Sequence, residues 1–312
     1  MYLIRLIYGS RLFFADVPKQ PFVKRPVDAV VLPTERVVTR VKTCRIPAAQ
    51  VEAIVTACRA HNTTFTPLLI VMINLVLATE HYPAAKLGLS FCAIDTRPCL
   101  PALPTTGKQA KDIMNASASI MIVHRLEAIR RAASPAPTSN AMPALTLATP
   151  AGGGLVAVDA DAIWKPVQEY GDRLRNGMEG PVPTIVRNVL QGKMAGEDLE
   201  DMLNRGMPSL GLVMKNGFLV SNLGPFSTPP AETRGCCGFW QVSEVQFSAA
   251  VTQASAGASG IVFNVAGVKG GDTIINASYQ DGALRARSVE AVLSSVAAKM
   301  VYVANTTLAT KK

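Results

Sequence analysis

Gly217-Phe-Leu-Val-Ser-Asn-Leu-Gly-Pro225, Phe239-Trp-Gln-Val-Ser-Glu-Val-Gln-Phe-Ser248, Ile261-Val-Phe-Asn-Val-Ala-Gly-Val-Lys-Gly-Gly-Asp272 and Thr273-Ile-Ile-Asn-Ala-Ser-Tyr-Gln-Asp-Gly282 follow one another in a single stretch. Short apolar runs of Val, Ile and Phe, broken by Gly and Pro, predict at least four β-strands in it. Lys269-Gly-Gly-Asp272 falls between two of these runs, where glycines supply the positive φ angles of a tight hairpin. After the last run, Val289, Val292, Leu293, Val296 and Met300 recur at helical steps. A strand-strand-helix unit of this kind has to lie on a larger sheet.

Upstream, Val37 to Ile46 alternates apolar and polar residues and predicts another strand. Pro47 marks the first turn of a helix with Val51, Ile54, Val55 and Cys58 on one face. Thr66-Pro67 opens a second helix, Leu68 to Ala78, apolar on nearly every side and therefore destined for the core. Leu87 to Ile94 reads as a buried, parallel-type strand, with Asp95 and Arg97 flanking the turn at its end. A basic helix is expected over Ala118 to Ala132, inside a loose Ala/Ser/Pro/Thr-rich region from 101 to about 155. Ala162 to Arg175 predicts an amphipathic helix with Trp164, Val167 and Leu174 inward, and Gly196 to Leu203 a short one. Pro18, Pro21, Pro26 and Pro33 make residues 1–35 an extended connector, or the remnant of a missing N-terminal half, while 301–312 is read as a tail. The fold class is α/β: a mixed β-sheet with packed helices.

Phe218 to Gly224, Gln246-Phe-Ser248, the Gly270-Gly-Asp272 turn and Tyr279-Gln-Asp-Gly282 resemble the C-terminal half of the fungal alcohol O-acetyltransferases. That family belongs to the chloramphenicol acetyltransferase-like, coenzyme A-dependent superfamily that includes condensation domains. Cys58-Arg-Ala-His-Asn-Thr-Thr-Phe-Thr-Pro67 and Ser90-Phe-Cys-Ala-Ile-Asp-Thr-Arg-Pro98 fit the same template in order. The likeness spans residues 36 to 300, with 101–155 as an insertion. It implies transfer of an acetyl group from acetyl-CoA, as co-substrate, to an alcohol or related hydroxyl. It also implies that Ser221 or Asn222 faces the channel and steadies the oxyanion, with Gln246, Ser248, Asp95 and Arg97 along the channel. The plainer reading of Ser-Asn-Leu-Gly224 is a strand end, Asn and Gly making a turn.

The resemblance also implies a His-x-x-x-Asp base, and this chain lacks it. His61, His81 and His124 are its histidines, and none has Asp four residues later. His61 is expected to be solvated in a helix-helix turn. His81 is expected to offset a helix dipole, and His124 to feel Arg125, Arg130 and Arg131. The chain therefore reads as a truncated or degenerate acyltransferase. The alternative is a non-catalytic binding or scaffold protein built on the same half-domain, and a half-domain with an open apolar sheet face is expected to self-associate.

Composition narrows the rest. With 49% apolar residues there is ample material for a core. The net charge of +9 comes from scattered residues, with no basic run, aromatic-interleaved stripe or zinc-finger spacing, so nucleic acid is not an expected partner. The six cysteines include no Cys-x-x-Cys pair and are read as reduced small hydrophobes, not metal ligands. Met1 to Phe14 is broken by Arg5 and Arg11 and is too short for a span; no transmembrane segment is expected, and the location is expected to be cytoplasmic. No Gly-x-Ser-x-Gly elbow and no Walker or dinucleotide motif occurs.

Overall fold

The Lys269–Asp272 turn is a tight hairpin, with Gly270 at φ +74° and the Gly271 N–H donating to the Val268 carbonyl at 2.9 Å. It joins β7 (Ile261–Val268) to β8 (Thr273–Gln280) in antiparallel register. The computed structural model describes residues 11–14, 38–95, 117–134, 157–179, 217–227, 242–251 and 259–310. Upstream of the hairpin come β1 (Thr39–Ile46), α1 (Ala48–Ala60), α2 (Phe65–Val76), β2 (Leu87–Asp95) and β3 (Ser117–Arg125). Then follow the short α3 (Leu126–Arg130), a two-residue ladder of β4 (Ala133–Ser134) with β5 (Ala157–Val158), α4 (Trp164–Glu179) and β6 (Gly217–Phe226). The long α5 (Ala286–Ala309) closes the described chain.

Six strands form one mixed sheet in the order β1-β8-β7-β6-β2-β3. The central contacts β7·β6 and β6·β2 are parallel and the others antiparallel. Strand alternation then sorts the side chains. Phe218, Val220, Ile261, Phe263, Val265, Ile275, Ala277 and Tyr279 join the helices in one buried cluster. The opposite face carries Val41, Thr43, Asn276, Asn264, Leu219, Ser221, Phe91 and Met121. α2 lies within the core, every residue from Pro67 to Val76 being buried. Each such Leu or Ile contributes about 1.5–3 kcal/mol relative to exposure. α5 buries Val289, Val292, Leu293, Val296 and Met300. Its 24 residues are long and apolar enough for a membrane span by composition, but this face packs on α1, α2 and the sheet as a core helix does.

α1 begins directly after Pro47, and its first N–H, that of Ala48, donates to Asp272 Oδ1 at 3.0 Å. The hairpin thus caps a helix more than 200 residues away in sequence. The side chain of Arg45 and then the Ala48 N–H hold the Asp272 carboxyl below its ordinary range. α4 presents Trp164, Val167 and Leu174 inward as expected. The Trp164 Nε1–H donates to Thr307 Oγ1 at 3.0 Å. Cys58 and Cys92 are buried free thiols, pushed by desolvation up to about 12 and about 11. Cys99, Cys236 and Cys237 lie outside the described residues.

Two expectations are corrected. The basic helix expected over 118–132 is a strand through Arg125 and helical only from Leu126 to Arg130. Ser119-Ile-Met-Ile-Val123 is an alternating run of β-forming residues, and pairing with β2 outweighs the local helical spacing. The strand expected over Phe239 to Ser248 is not one in its described part. Residues 242–251 form an irregular strap across the sheet, because side chains rather than a neighbouring backbone take its polar groups. The expected helix Gly196 to Leu203, most of the connector over residues 1–35 and most of 101–155 lie outside the described residues; of the connector, Leu12, Phe13 and Phe14 are described and lie buried in the core.

Candidate functional site

β6 is where the sequence readings converge. It lies between β7 and β2, parallel to both, so its carboxyl end sits at the rim where open α/β sheets receive ligands. Its register with β7 shifts between Asn222 and Pro225, and Gly224 takes φ +73°. A bulge of this kind re-aims the side chains beside it.

Ser221 and Asn222, just before this bulge, face opposite sides of the sheet by strand alternation. Asn222 points to the helix side: its Nδ2–H donates to Thr66 Oγ1 at 2.9 Å, in the first turn of α2. Its Oδ1 accepts the Gly224 N–H at 2.8 Å. That amide is spent on the turn, which matches the plainer reading of Asn and Gly224. Ser221 points to the opposite face, beside Asn264 in register, and is half-buried. Among the described residues its hydroxyl makes no hydrogen bond, which leaves an unused donor on this face of the sheet.

A polar row continues from Ser221 across that face through Asn264, Asn276 and Thr43. Thr43 Oγ1 donates to Asn276 Oδ1 at 2.7 Å. The Asn264 Nδ2–H reaches Ser278 Oγ at 3.1 Å and the Asn276 carbonyl at 3.2 Å. The row holds the strap. Asn276 Nδ2 donates to the Phe247 carbonyl at 2.9 Å, and the Ala249 N–H donates to Asn264 Oδ1 at 3.1 Å. Further along, the Val251 N–H donates to Thr39 Oγ1 at 3.0 Å, and Glu244 pairs with Arg45 at the near end. Gln246 and Ser248 are exposed on this strap, on the Ser221 side of the sheet. Asp95, exposed at the end of β2, shares that face by alternation; Arg97 lies outside the described residues.

Sequence reading missed Asn264 and Asn276. The signal was present: each interrupts an apolar strand, and they stand at matching distances on either side of the hairpin. Two amides buried in one register need each other and a third partner, which here is the strap.

The three histidines lie elsewhere. His61 is half-buried rather than free in solvent: its ring stacks on Trp164 with centroids 4.3 Å apart, and its carbonyl accepts Gln168 Nε2–H at 2.8 Å. His81 ends the π-helical turn Leu77–His81, where burial lowers its pKa and disfavours the cation. Arg130 serves that helix end instead, donating to the carbonyls of Ala78, Tyr82 and Ala85. His124 is buried on the helix side of β3, its Nε2 2.7 Å from Ser90 Oγ and its ring stacked on Tyr170 at 5.2 Å. Burial, then Arg173 rather than Arg125, Arg130 or Arg131, lowers its pKa to about 3. Among the described residues no three of His, Cys, Asp and Glu cluster as metal ligands would.

No family model matches the chain, and no curated protein matches it. Among solved structures it is similar to the epimerization domain from the third module of tyrocidine synthetase B, at 13% identity and a TM-score of 0.49. The alignment covers 100% of this chain and 57% of that one. The PapA2 acyl transferase aligns at 10% identity and a TM-score of 0.46, covering 97% and 50%. A structure of condensation domain-mediated chain release from the enacyloxin polyketide synthase aligns at 14% and 0.45, covering 85% and 41%. The chain thus spans about half the length of these structures. The likeness is one of chain course, to domains of the condensation and acyltransferase type.

Proposed function

We propose that this chain is one half of an alcohol O-acetyltransferase, the half that carries the oxyanion side of the site. The observation that carries the reading is the unspent Ser221 hydroxyl, half-buried beside a bulged strand end on the face that the strap crosses. In this reading an imidazole of a second half-domain, in a His-x-x-x-Asp setting, removes the proton of the acceptor hydroxyl. The acceptor oxygen attacks the thioester carbonyl of acetyl-CoA. The negative charge that develops there receives the Ser221 O–H, a donor fixed before the charge forms. Collapse breaks the carbon–sulfur bond, and the leaving thiolate takes its proton from the imidazolium. Gln246, Ser248 and Asp95 line the approach, and acetyl-CoA is a co-substrate rather than a resident cofactor.

A second reading rests on the histidines. All three lie away from the Ser221 face, so the same surface serves a binding protein that holds an acyl donor without turning it over. One experiment separates the two. The chain is supplied with acetyl-CoA and a panel of alcohols, alone and with the N-terminal half of an alcohol O-acetyltransferase, and ester is read by mass spectrometry. The enzyme reading expects no ester from the chain alone and ester from the mixture, with Ser221→Ala lowering the rate about a hundredfold. Acetyl-CoA binding without ester in either case supports the binding protein. Neither binding nor ester sinks both.

A further inference from the structure

The two edges of the sheet differ in chemistry. β1 is guarded: Arg40, Lys42 and Arg45 pair with Asp281, Glu290 and Asp272 or Glu244, and charged side chains of this kind blunt an edge against further pairing. β3, the other edge strand, carries no charge from Ser117 to Val123. Met121 on it is 38% exposed. The Val123 carbonyl accepts Arg173 Nη1–H at 3.2 Å rather than a β2 amide. By alternation Ser119, Met121 and Val123 therefore turn their backbone groups away from β2. Among the described residues no other backbone group pairs with that side.

We propose that a second copy of this chain pairs along β3, antiparallel, about a two-fold axis through Met121. The strand is complementary to itself in that register. Met121 faces Met121, Ser119 faces Val123, Ile120 faces Ile122 and Ser117 faces Arg125, so no two like charges meet. The same pairing about Lys42, in the middle of β1, sets that ammonium against its own copy. On the face that bears Ser221, Met121 stands beside Phe91 in register, next to the buried Leu89 and Phe91 cluster with Val123 and Leu219. A second copy extends that apolar strip across the axis. It also joins two sheets of six strands into a continuous one, and its amide takes the Val123 carbonyl that Arg173 holds in the single chain.

The register makes a geometric test. Directly opposed residues in a hydrogen-bonded antiparallel pair have Cα atoms about 5.5 Å apart, within disulfide reach. The full chain carrying Met121→Cys is oxidised mildly beside the wild type and a Val41→Cys control on the guarded edge. Expected is a covalent dimer from Met121→Cys alone, with mass-spectrometric proof of a 121–121 bridge. In parallel, light scattering across a concentration series follows Met121→Lys, whose ammonium groups meet at the axis. Its dimer dissociation constant rises at least about tenfold, with an unchanged circular dichroism spectrum because the side chain is exposed. A wild-type chain that stays monomeric at high micromolar concentration overturns the proposal. So does a dimer that ignores Met121→Lys or bridges equally through Val41→Cys.

Discussion

His124 is the residue whose chemistry is most altered by its place. Ser90, Tyr170 and Arg173 surround it beneath α4, and burial holds its imidazole neutral down to about pH 3. In the unfolded chain the same group takes up a proton near pH 6.5. Between those values the unfolded state binds the extra proton, so the neutral histidine stabilises the fold above pH 6.5 and that contribution fades as pH falls toward 3. The slope is about 1.4 kcal/mol per pH unit at most. His124→Gln keeps an acceptor near Ser90 and removes the titration. Urea unfolding at pH 7, 5 and 4 is expected to show a shallower acid loss in the variant, by close to one proton. Equal slopes would refute the assignment. At the same scale, Ser221 and Asn222 show how neighbouring residues divide. Composition favoured neither as the channel donor; strand alternation sends them to opposite faces, and the turn at Gly224 then engages the Asn222 amide.

At the scale of elements, the strap over residues 242–251 depends on side-chain amides from the β7–β8 hairpin. Asn264→Ala removes the acceptor for the Ala249 N–H and the donor to Ser278 and the Asn276 carbonyl. The expected outcome is a loss of about 1–3 kcal/mol, with amide exchange at 247–251 accelerating ahead of global unfolding. Unchanged protection of Ala249 would mean that the strap is held by other contacts. These elements also mark how far the sequence could be read. The hairpin, α2, α4 and α5 were legible because glycine pairs and helical spacing are local signals. β3 was mistaken for a helix because its strongest support, the register with β2, lies outside its own sequence. The strap was mistaken for a strand for the complementary reason: its Val-x-Phe spacing suits a ladder, but the neighbouring positions are taken and the polar row across the sheet accepts it instead. For the candidate site, Ser221 and the strap residues were legible, whereas the amides that bring them together were not.

At the scale of the molecule, the two ends of the described fold close on each other. β1 pairs with β8 from Thr39–Gln280 to Ile46–Thr273, and α5 packs across α1 and α2. No local pattern announces such contacts, which is why the strand order stayed beyond sequence reading. One polar device crosses this closure. Lys299 Nζ on α5 lies 2.7 Å from Glu80 Oε1 in the π-helical turn, with side-chain exposures of 8% and 18%. Ser295 Oγ donates to the same carboxylate at 2.8 Å. A buried pair is costly to form, so its energetic weight shows when one partner is removed and the other is left uncompensated. Lys299→Met or Glu80→Leu alone is expected to destabilise the chain by about 3–5 kcal/mol. The double variant should recover much of that loss, since two apolar side chains then meet where two charges stood. Denaturant titration of the four proteins gives the coupling directly. A large coupling shows that α5 is locked to the π-helical turn after α2 at this point. Strictly additive losses would show that α5 is held by its apolar face alone, with the ion pair merely tolerated in the seam.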